Sequence, residues 1–258
     1  QLEVKVYPNE QLGGEIDTIN MVQAGTADMV ISGESMQNWA PKTALMAVPY
    51  AFKSTEHMQK AIDSEIGDEI AEQIEEKIGL IPLYYHLRAP RNLTSNEPIE
   101  KPEDMKGFTM RVPNVPIFLD AWKEIGANPQ AMDFNEVFTA IQQGVIDGQE
   151  NPVDLIHSAG FYEIQKYVNE TEHVHGWIYV LVGKKQFEAL SEDMQVAVLE
   201  AADEAQLYGD QLFEEETSGY IEDLKERGMT FNPVDKDAFR KAMEPAIMEK
   251  LSEEQRDI

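Results

Sequence analysis

Lys106-Gly-Phe-Thr-Met-Arg-Val-Pro113 is the stretch on which the fold reading turns. From position 108 its side chains alternate: Phe108, Met110 and Val112 face one way, Thr109 and Arg111 the other. A period of two marks a strand with one face on a core. Pro113 has no N–H to give to a ladder, so the strand stops there and Arg111 stands at its carboxyl end. Open α/β sheets bind their ligands at that end. A guanidinium is permanently charged and offers a planar fork that matches a carboxylate.

Strand-like and helix-like segments alternate on both sides of this stretch, which is an α/β pattern. Strands are expected at residues 3–7, with Val4 and Val6 on one face, at 29–32 as a buried run, and at 80–85, 108–112 and 177–182. Helices are expected at 15–23, closed by Gly25, and at 135–143, closed by Gly144. Residues 102–106 read as a helical turn, and Ser54 caps a helix that carries Met58, Ala61 and Ile62 inward. The longest helix runs from about residue 191 to 227, with Met194, Val198, Ala201, Ala205, Tyr208 and Leu212 as its apolar stripe. At 1.5 Å per residue it spans roughly 50 Å, longer than one lobe is wide. A kink is expected near Gly209 or Gly219. Val22-Gln-Ala-Gly-Thr-Ala-Asp28 and Ile141-Gln-Gln-Gly-Val-Ile-Asp147 are faint repeats of one another, as two similar α/β lobes joined by crossing segments would produce.

The 258 residues carry 21 basic and 48 acidic side chains, a formal charge of −27. Such a surface repels nucleic acid and anionic lipid headgroups and suits a medium whose salt screens self-repulsion. A hydrophobic content of 42% supplies a real core, and the absence of cysteine excludes thiol catalysis and disulfides. No apolar run reaches the ~18–20 residues of a membrane span. Residues 1–7 already read as a strand, so any targeting segment is expected to have been removed.

With basic residues so scarce, their placement is informative. Of six arginines, Arg88, Arg91 and Arg111 fall within 24 positions. The residues alone leave two readings of Arg91 and Arg111, either structural ion pairs with some of the many acids or a local positive well that selects anions; Arg88 reads as a solvated loop residue. Gly144-Val-Ile-Asp-Gly-Gln-Glu-Asn-Pro152 is a polar loop at a strand end, where Asn151 can donate and accept. Ser32-Gly-Glu-Ser35 is a polar turn after a strand, with Trp39 close behind, and Glu34 can accept from ligand hydroxyls. Dinucleotide, Walker and zinc-protease motifs are absent, and Gly33-Glu-Ser-Met-Gln37 lacks the second glycine of a nucleophile elbow. His173-Val-His175 puts two imidazoles on one face with no third ligand near, so no metal and no cofactor are expected.

Together these motifs resemble the substrate-binding proteins of tripartite ATP-independent periplasmic (TRAP) transporters, the DctP-like family. The resemblance rests on Gln11-Leu-Gly-Gly14, Arg91-Asn-Leu-Thr-Ser95, Lys106 to Pro113, Gly126-Ala-Asn-Pro129, Phe134-Asn-Glu-Val-Phe138 and, most specific, Asp147-Gly-Gln-Glu-Asn-Pro152. Phe161-Tyr-Glu-Ile-Gln-Lys166 and Leu190-Ser191 follow in order. It implies an α/β, two-lobed periplasmic-binding-protein fold with crossing strands and a long helix spanning both lobes. Lobe I is then expected at 1–88 plus about 177–216, and lobe II at 89–176 plus about 217–258. By the resemblance Arg111 pairs with a ligand carboxylate, Arg91 assists, Asn151 hydrogen-bonds the same carboxylate and Phe134 packs beside the ligand. Glu34 stands where sugar-acid binders use an acid, and Trp39 and Trp177 are placed at the lobe edge. The family normally opens with a further strand and helix, so a longer mature chain is expected.

The implied function is extracytoplasmic, periplasmic or lipid-anchored, capture of a small organic acid without catalysis. The acid would be delivered to small and large TRAP membrane subunits by a monomer whose lobes close on it. Glu34, Gln37 and His86 favour a sugar acid such as a uronate, aldonate or sialic-type acid. A C4-dicarboxylate or keto acid is the alternative, in which Arg91 or Arg88 would serve a second anionic group; delivery to a sensor is another.

Overall fold

A computed structural model describes residues 2–256, apart from the side chains of Glu214 and Glu254. Gln1, at the start of the expected first strand, and Asp257 and Ile258, at the end of the expected second lobe, lie outside the described residues. In chain order the elements are α1 (Glu15–Ala24), β1 (Met29–Ser32), α2 (Thr55–Ile62), α3 (Glu65–Ile78), β2 (Leu80–Leu87), β3 (Arg91–Ser95), β4 (Thr109–Val112), α4 (Pro116–Glu124), β5 (Asn128–Ala131) and α5 (Phe134–Gln142). There follow β6 (Gly148–Asn151), α6 (Val153–Ser158), β7 (Tyr167–Val174), β8 (Trp177–Gly183), α7 (Lys184–Glu188), α8 (Glu192–Glu226), β9 (Thr230–Asn232), α9 (Lys236–Lys250) and α10 (Glu253–Arg256).

Two sheets organise these elements: a three-stranded one, β1-β8-β2, and a six-stranded one, β5-β4-β6-β3-β7-β9. The small sheet packs on α1, α2 and α3 through Ile19, Met58, Ile70, Ile74, Leu80 and Leu181. The large sheet has a core on each face. Met110, Val112, Phe118, Trp122 and Phe239 fill one; Val137, Ile146, Phe161, Val168 and Leu224 fill the other. The chain passes between sheets after β2, after β7 and again through α8 after β8, and the Arg88 N–H donates to the Gly176 carbonyl at 3.1 Å to tie the first two crossings together.

Helix α8 is continuous over 35 residues, opens at Ser191 with Glu192 and Asp193 in its first turn, and carries Lys225 in its last, as the helix dipole favours. It touches both sheet systems. Gln206 accepts from the Tyr85 N–H at 2.9 Å on β2, while Asp223 meets His157 of α6 at 2.7 Å. Met194, Val198, Ala205 and Leu212 of the expected stripe lie on its packed face, and Ala201 and Tyr208 do not. Ala202, Gly209 and Phe213 point inward, whereas Tyr208 is 63% exposed. Gly209 lies so close to the His86 ring that an added Cβ would stand 2.5 Å from Nδ1, so the smallest residue, not the most apolar one, marks the contact.

Two further expectations are corrected. Residues 3–7 form no strand: Val4 and Val6 are 74% and 76% exposed, and among the described residues no strand pairs with them. β1 is a strand but only half buried, with Met29 and Ile31 outward, because it is the edge of its sheet. The faint repeat is real in geometry. Gly25 (φ 77°) and Gly144 (φ 71°) each take the left-handed cap that ends a helix, and a strand starts four residues later in both cases. No helix among the described residues is long and apolar enough to cross a membrane.

Candidate functional site

Arg111 ends β4 beside β5 and β6, with Gln130 and Gln149 as its register partners. Gln149 in turn pairs with Thr94, and Asn151 with Asn92, on β3. Paired residues share a face, so Arg111, Gln149, Asn151 and Thr94 form one polar surface at the carboxyl end of β4 and β6. Asn151 Nδ2 donates to Gln149 Oε1 at 2.6 Å, and Gln149 Nε2 donates to Thr94 Oγ1 at 3.1 Å. Met132 anchors the arginine by accepting from Nε at 2.8 Å, and the guanidinium lies 5.6 Å from the centre of the Phe134 ring. Phe134 opens α5 and is itself braced edge-on against Phe161.

Arg111 is only 5% exposed, and among the described residues no carboxylate lies within ion-pair distance of it. Burial pushes its pKa from 12.5 down to about 10, with Arg91 adding to the effect and Glu150, Glu10 and Glu15 offsetting part of it. It is a buried cation held by one carbonyl and one aromatic face, and among the described residues no hydrogen-bond partner meets its outer nitrogens.

The opposite face of β3 and β6 is built differently. Arg91 is fork-bound to Glu150, with Nη2 2.7 Å from Oε1, and its Nη1 reaches Glu34 Oε1 at 3.3 Å. His173 Nε2 meets the same Glu150 at 2.9 Å, and Thr171 closes the chain at His173 Nδ1. Burial opposes the Glu150 carboxylate, but Arg91 and His173 overturn that and hold its pKa at about 2. Burial likewise holds His173 below the ordinary histidine value, so at pH 7 it is neutral and donates from Nε2 to an ionised Glu150. For Arg91, burial alone would disfavour the cation; Glu150 and Glu34 reverse this and raise its pKa.

Glu34 joins the two sheet systems. It lies in the loop after β1, which Glu15 fixes by accepting from Ser32 Oγ, the Gly33 N–H and Ser35 Oγ at 2.5, 3.0 and 2.7 Å. From there its carboxylate meets Arg91, and Arg88 Nη1 at 3.2 and 3.4 Å. Arg88 is therefore no solvated loop residue: its backbone is fixed to Gly176 and its side chain is drawn in by Glu34. Glu10 accepts from the Asn135 N–H at the start of α5, and Asn38 donates to the Asn114 carbonyl, so segments from both sheet systems meet around the site.

The seven residues singled out from sequence thus separate. Arg111, Asn151 and Phe134 stand together on one face; Arg91 is held by Glu150 and Glu34. Trp39 is half buried against the small sheet's core. Trp177 is wholly inside that core, edge-on to Phe52 and Tyr179. His86, read as a hydroxyl partner, faces α8 instead. Sequence reasoning missed Glu15 and Glu150, and it left Arg88 and His173 without the partners the structure gives them, Glu34 and Glu150. Glu150 lies inside the most specific motif, and the fully buried run Gly148–Asn151 is the signal that it is paired.

The chain matches the model of the bacterial extracellular solute-binding proteins, family 7, over residues 1–254. It is 53% identical over 261 residues to solute-binding protein RD1_1052 of Roseobacter denitrificans, covering 100% of this chain and 79% of that one. A crystal structure of the Roseobacter denitrificans TRAP periplasmic solute-binding protein RD1_1052 with bound L-galactonate superposes with a TM-score of 0.95 at 52% identity, covering 98% and 84% of the two chains. Another, from Xanthobacter autotrophicus Py2 with bound β-D-galacturonate, gives 0.94 at 30% identity, covering 100% and 87%. This chain belongs to family 7 of the bacterial extracellular solute-binding proteins, the TRAP periplasmic solute-binding proteins.

Proposed function

We propose that this protein captures a sugar acid between its two lobes and delivers it to TRAP membrane subunits, with Arg111 as the anchor of the ligand carboxylate. The observation that carries the reading is the buried, acid-free guanidinium of Arg111, facing a surface of amides and an aromatic ring. A buried charge without a partner is costly, and an incoming carboxylate removes that cost while completing a bidentate pair. Asn151 and Gln149 supply donors and acceptors beside it, and Phe134 supplies an apolar wall. L-Galactonate and β-D-galacturonate, bound by the two similar structures, each combine one carboxylate with several hydroxyls, which is the chemistry these residues suit.

In this reading residues to 88 plus about 177–216 make one lobe and 89–176 plus about 217–258 the other, closing about the crossings that Arg88 and Gly176 tie; the separate sheets support it. The protein acts as a periplasmic monomer and performs no catalysis. A thermal-shift screen of sugar acids, dicarboxylates, keto acids and neutral sugars tests this, because a ligand that binds only the native state raises the melting temperature. Shifts are expected from sugar acids and not from neutral sugars. Shifts from neutral sugars alone would defeat the carboxylate-anchor reading.

A further inference from the structure

The charges around the site do not simply cluster; they cancel in a definite pattern. Arg88 and Arg91 both rest on Glu34, and Arg91 also on Glu150. Three arginines thus face two paired acids, and the unmatched charge is that of Arg111. The charged groups Arg111 feels most are Glu150, Arg91, Glu10 and Glu15, three acids and one base. Glu15 is itself held by Ser32, Gly33 and Ser35, and Glu10 by the start of α5, so neither turns away to make room for an anion.

The Arg88–Glu34 pair has a further property. Arg88 uses Nη1 on Glu34, which leaves other guanidinium donors for use. Glu34 receives its two arginines at 3.2 to 3.4 Å, contacts that leave its carboxylate able to accept more. A hydroxyl both donates and accepts, so a neutral pair of this kind suits a polyol. It suits a second carboxylate poorly, because the pair has no net positive charge and its Glu34 half repels an anion.

We propose that the site admits a single negative charge: Arg88, by neutralising Glu34, makes the pair a reader of ligand hydroxyls and makes the protein reject dicarboxylates, including aldarates. This rests on Arg111 as carboxylate anchor, and it removes the dicarboxylate alternative in which Arg88 or Arg91 would serve a second anion. Selectivity arises from an acidic surround that leaves a second carboxylate unpaired in a buried site.

The test uses L-galactonate, D-galacturonate and galactarate, which share a carbon skeleton and differ in whether the far terminus is an alcohol, an aldehyde closed as the ring hemiacetal, or a carboxylate. Calorimetry on the wild type at pH 7.5 is expected to show the two monoacids binding at least 100-fold more tightly than galactarate. Glu34→Gln, which releases the charge of Arg88 while Arg91 keeps Glu150, is expected to narrow that gap at least tenfold by a gain in galactarate binding, which mere structural damage would not produce. Arg88→Met is expected to lose at least tenfold for the monoacids and to gain nothing for galactarate; its melting curve, with that of Glu34→Gln, reports folding. Galactarate binding within threefold of galacturonate in the wild type, or an unchanged ratio in Glu34→Gln, overturns the proposal. Arg111→Met separates the underlying reading: if it keeps wild-type affinity for the monoacids, the anchor assignment falls and the charge count falls with it.

Discussion

Replacing Arg111 by Met should weaken sugar-acid binding by about two orders of magnitude while leaving the ligand-free protein as stable as before, or more so. Arg111 is 5% exposed, its Nε donates to one carbonyl and its guanidinium lies 5.6 Å from the Phe134 ring centre, with no acid partner among the described residues. Its pKa falls from 12.5 to about 10, mainly through burial, which corresponds to about 3 kcal/mol of unfavourable charge placement. A bound carboxylate returns an amount of that order, and one decade in Kd corresponds to about 1.4 kcal/mol, hence the two decades. Truncating one partner of a buried charge pair generally costs about 2–5 kcal/mol, which brackets the figure. Methionine keeps much of the volume without the charge, and an apolar residue in place of a buried ion is commonly neutral or stabilising. Calorimetry gives the affinity, and urea unfolding of the ligand-free protein gives the stability. An affinity within threefold of wild type, or a loss of ligand-free stability as large as the loss of binding, would mean that Arg111 is a structural residue and that the reasoning is wrong.

The same geometry has other consequences. Gln149→Glu places a carboxylate on the register partner of Arg111, so it should satisfy the guanidinium internally and abolish acid binding without unfolding the protein; retained binding in calorimetry would contradict this. Gly148→Ala would put a Cβ 2.1 Å from the Thr94 carbonyl oxygen and 2.8 Å from the Phe108 ring, and since a backbone strand cannot yield, a loss of about 3 kcal/mol and a melting temperature lower by roughly 5 °C or more are expected. Glu150 has a folded pKa of about 2 against an ordinary 4.5, so its stabilising contribution is present above pH 4.5 and is lost as the pH falls through 2. Glu150→Gln should therefore flatten the dependence of the urea midpoint on pH between those values, and an unchanged slope would show that the ion pair with Arg91 does not control the acid limb.

Much of the fold is legible because it rests on local chemistry. Ser54 accepts from the His57 N–H as its position before an apolar run suggests, and Gly25 and Gly144 take the left-handed caps that only glycine takes cheaply. Helix α8 begins and ends within a residue of the expected bounds because its 3.6-residue periodicity is sustained for 35 residues. Most of its packed face follows the same periodicity, and the exceptions Ala201 and Tyr208 flank the approach of Gly209 to His86, a contact across 123 positions that hydropathy does not encode. The failed strand at residues 3–7 has the same cause. Alternation states that a segment can pair, and only a neighbouring strand makes it do so.

The site was legible where alternation alone fixes it. Period two along β4 put Arg111 opposite Met110 and Val112, and the same rule applied to Gln149-Glu-Asn151 would have divided that motif: two amides on the face of Arg111, one acid on the face of Arg91. Which arginine is matched is a different kind of fact. Arg88, Arg91 and their acids are 54 to 59 positions apart in sequence, and nothing local to any of them says that they meet. In a chain with 48 acidic residues the default state of a buried arginine is to be paired, so clustering of arginines carries little information about function. What distinguishes Arg111 is that the strand alternation turning Glu150 toward Arg91 also turns it away from Arg111. Arg111 has no acid partner among the described residues because the nearest acid along β6, one residue on from its register partner, is turned to the other face of the sheet.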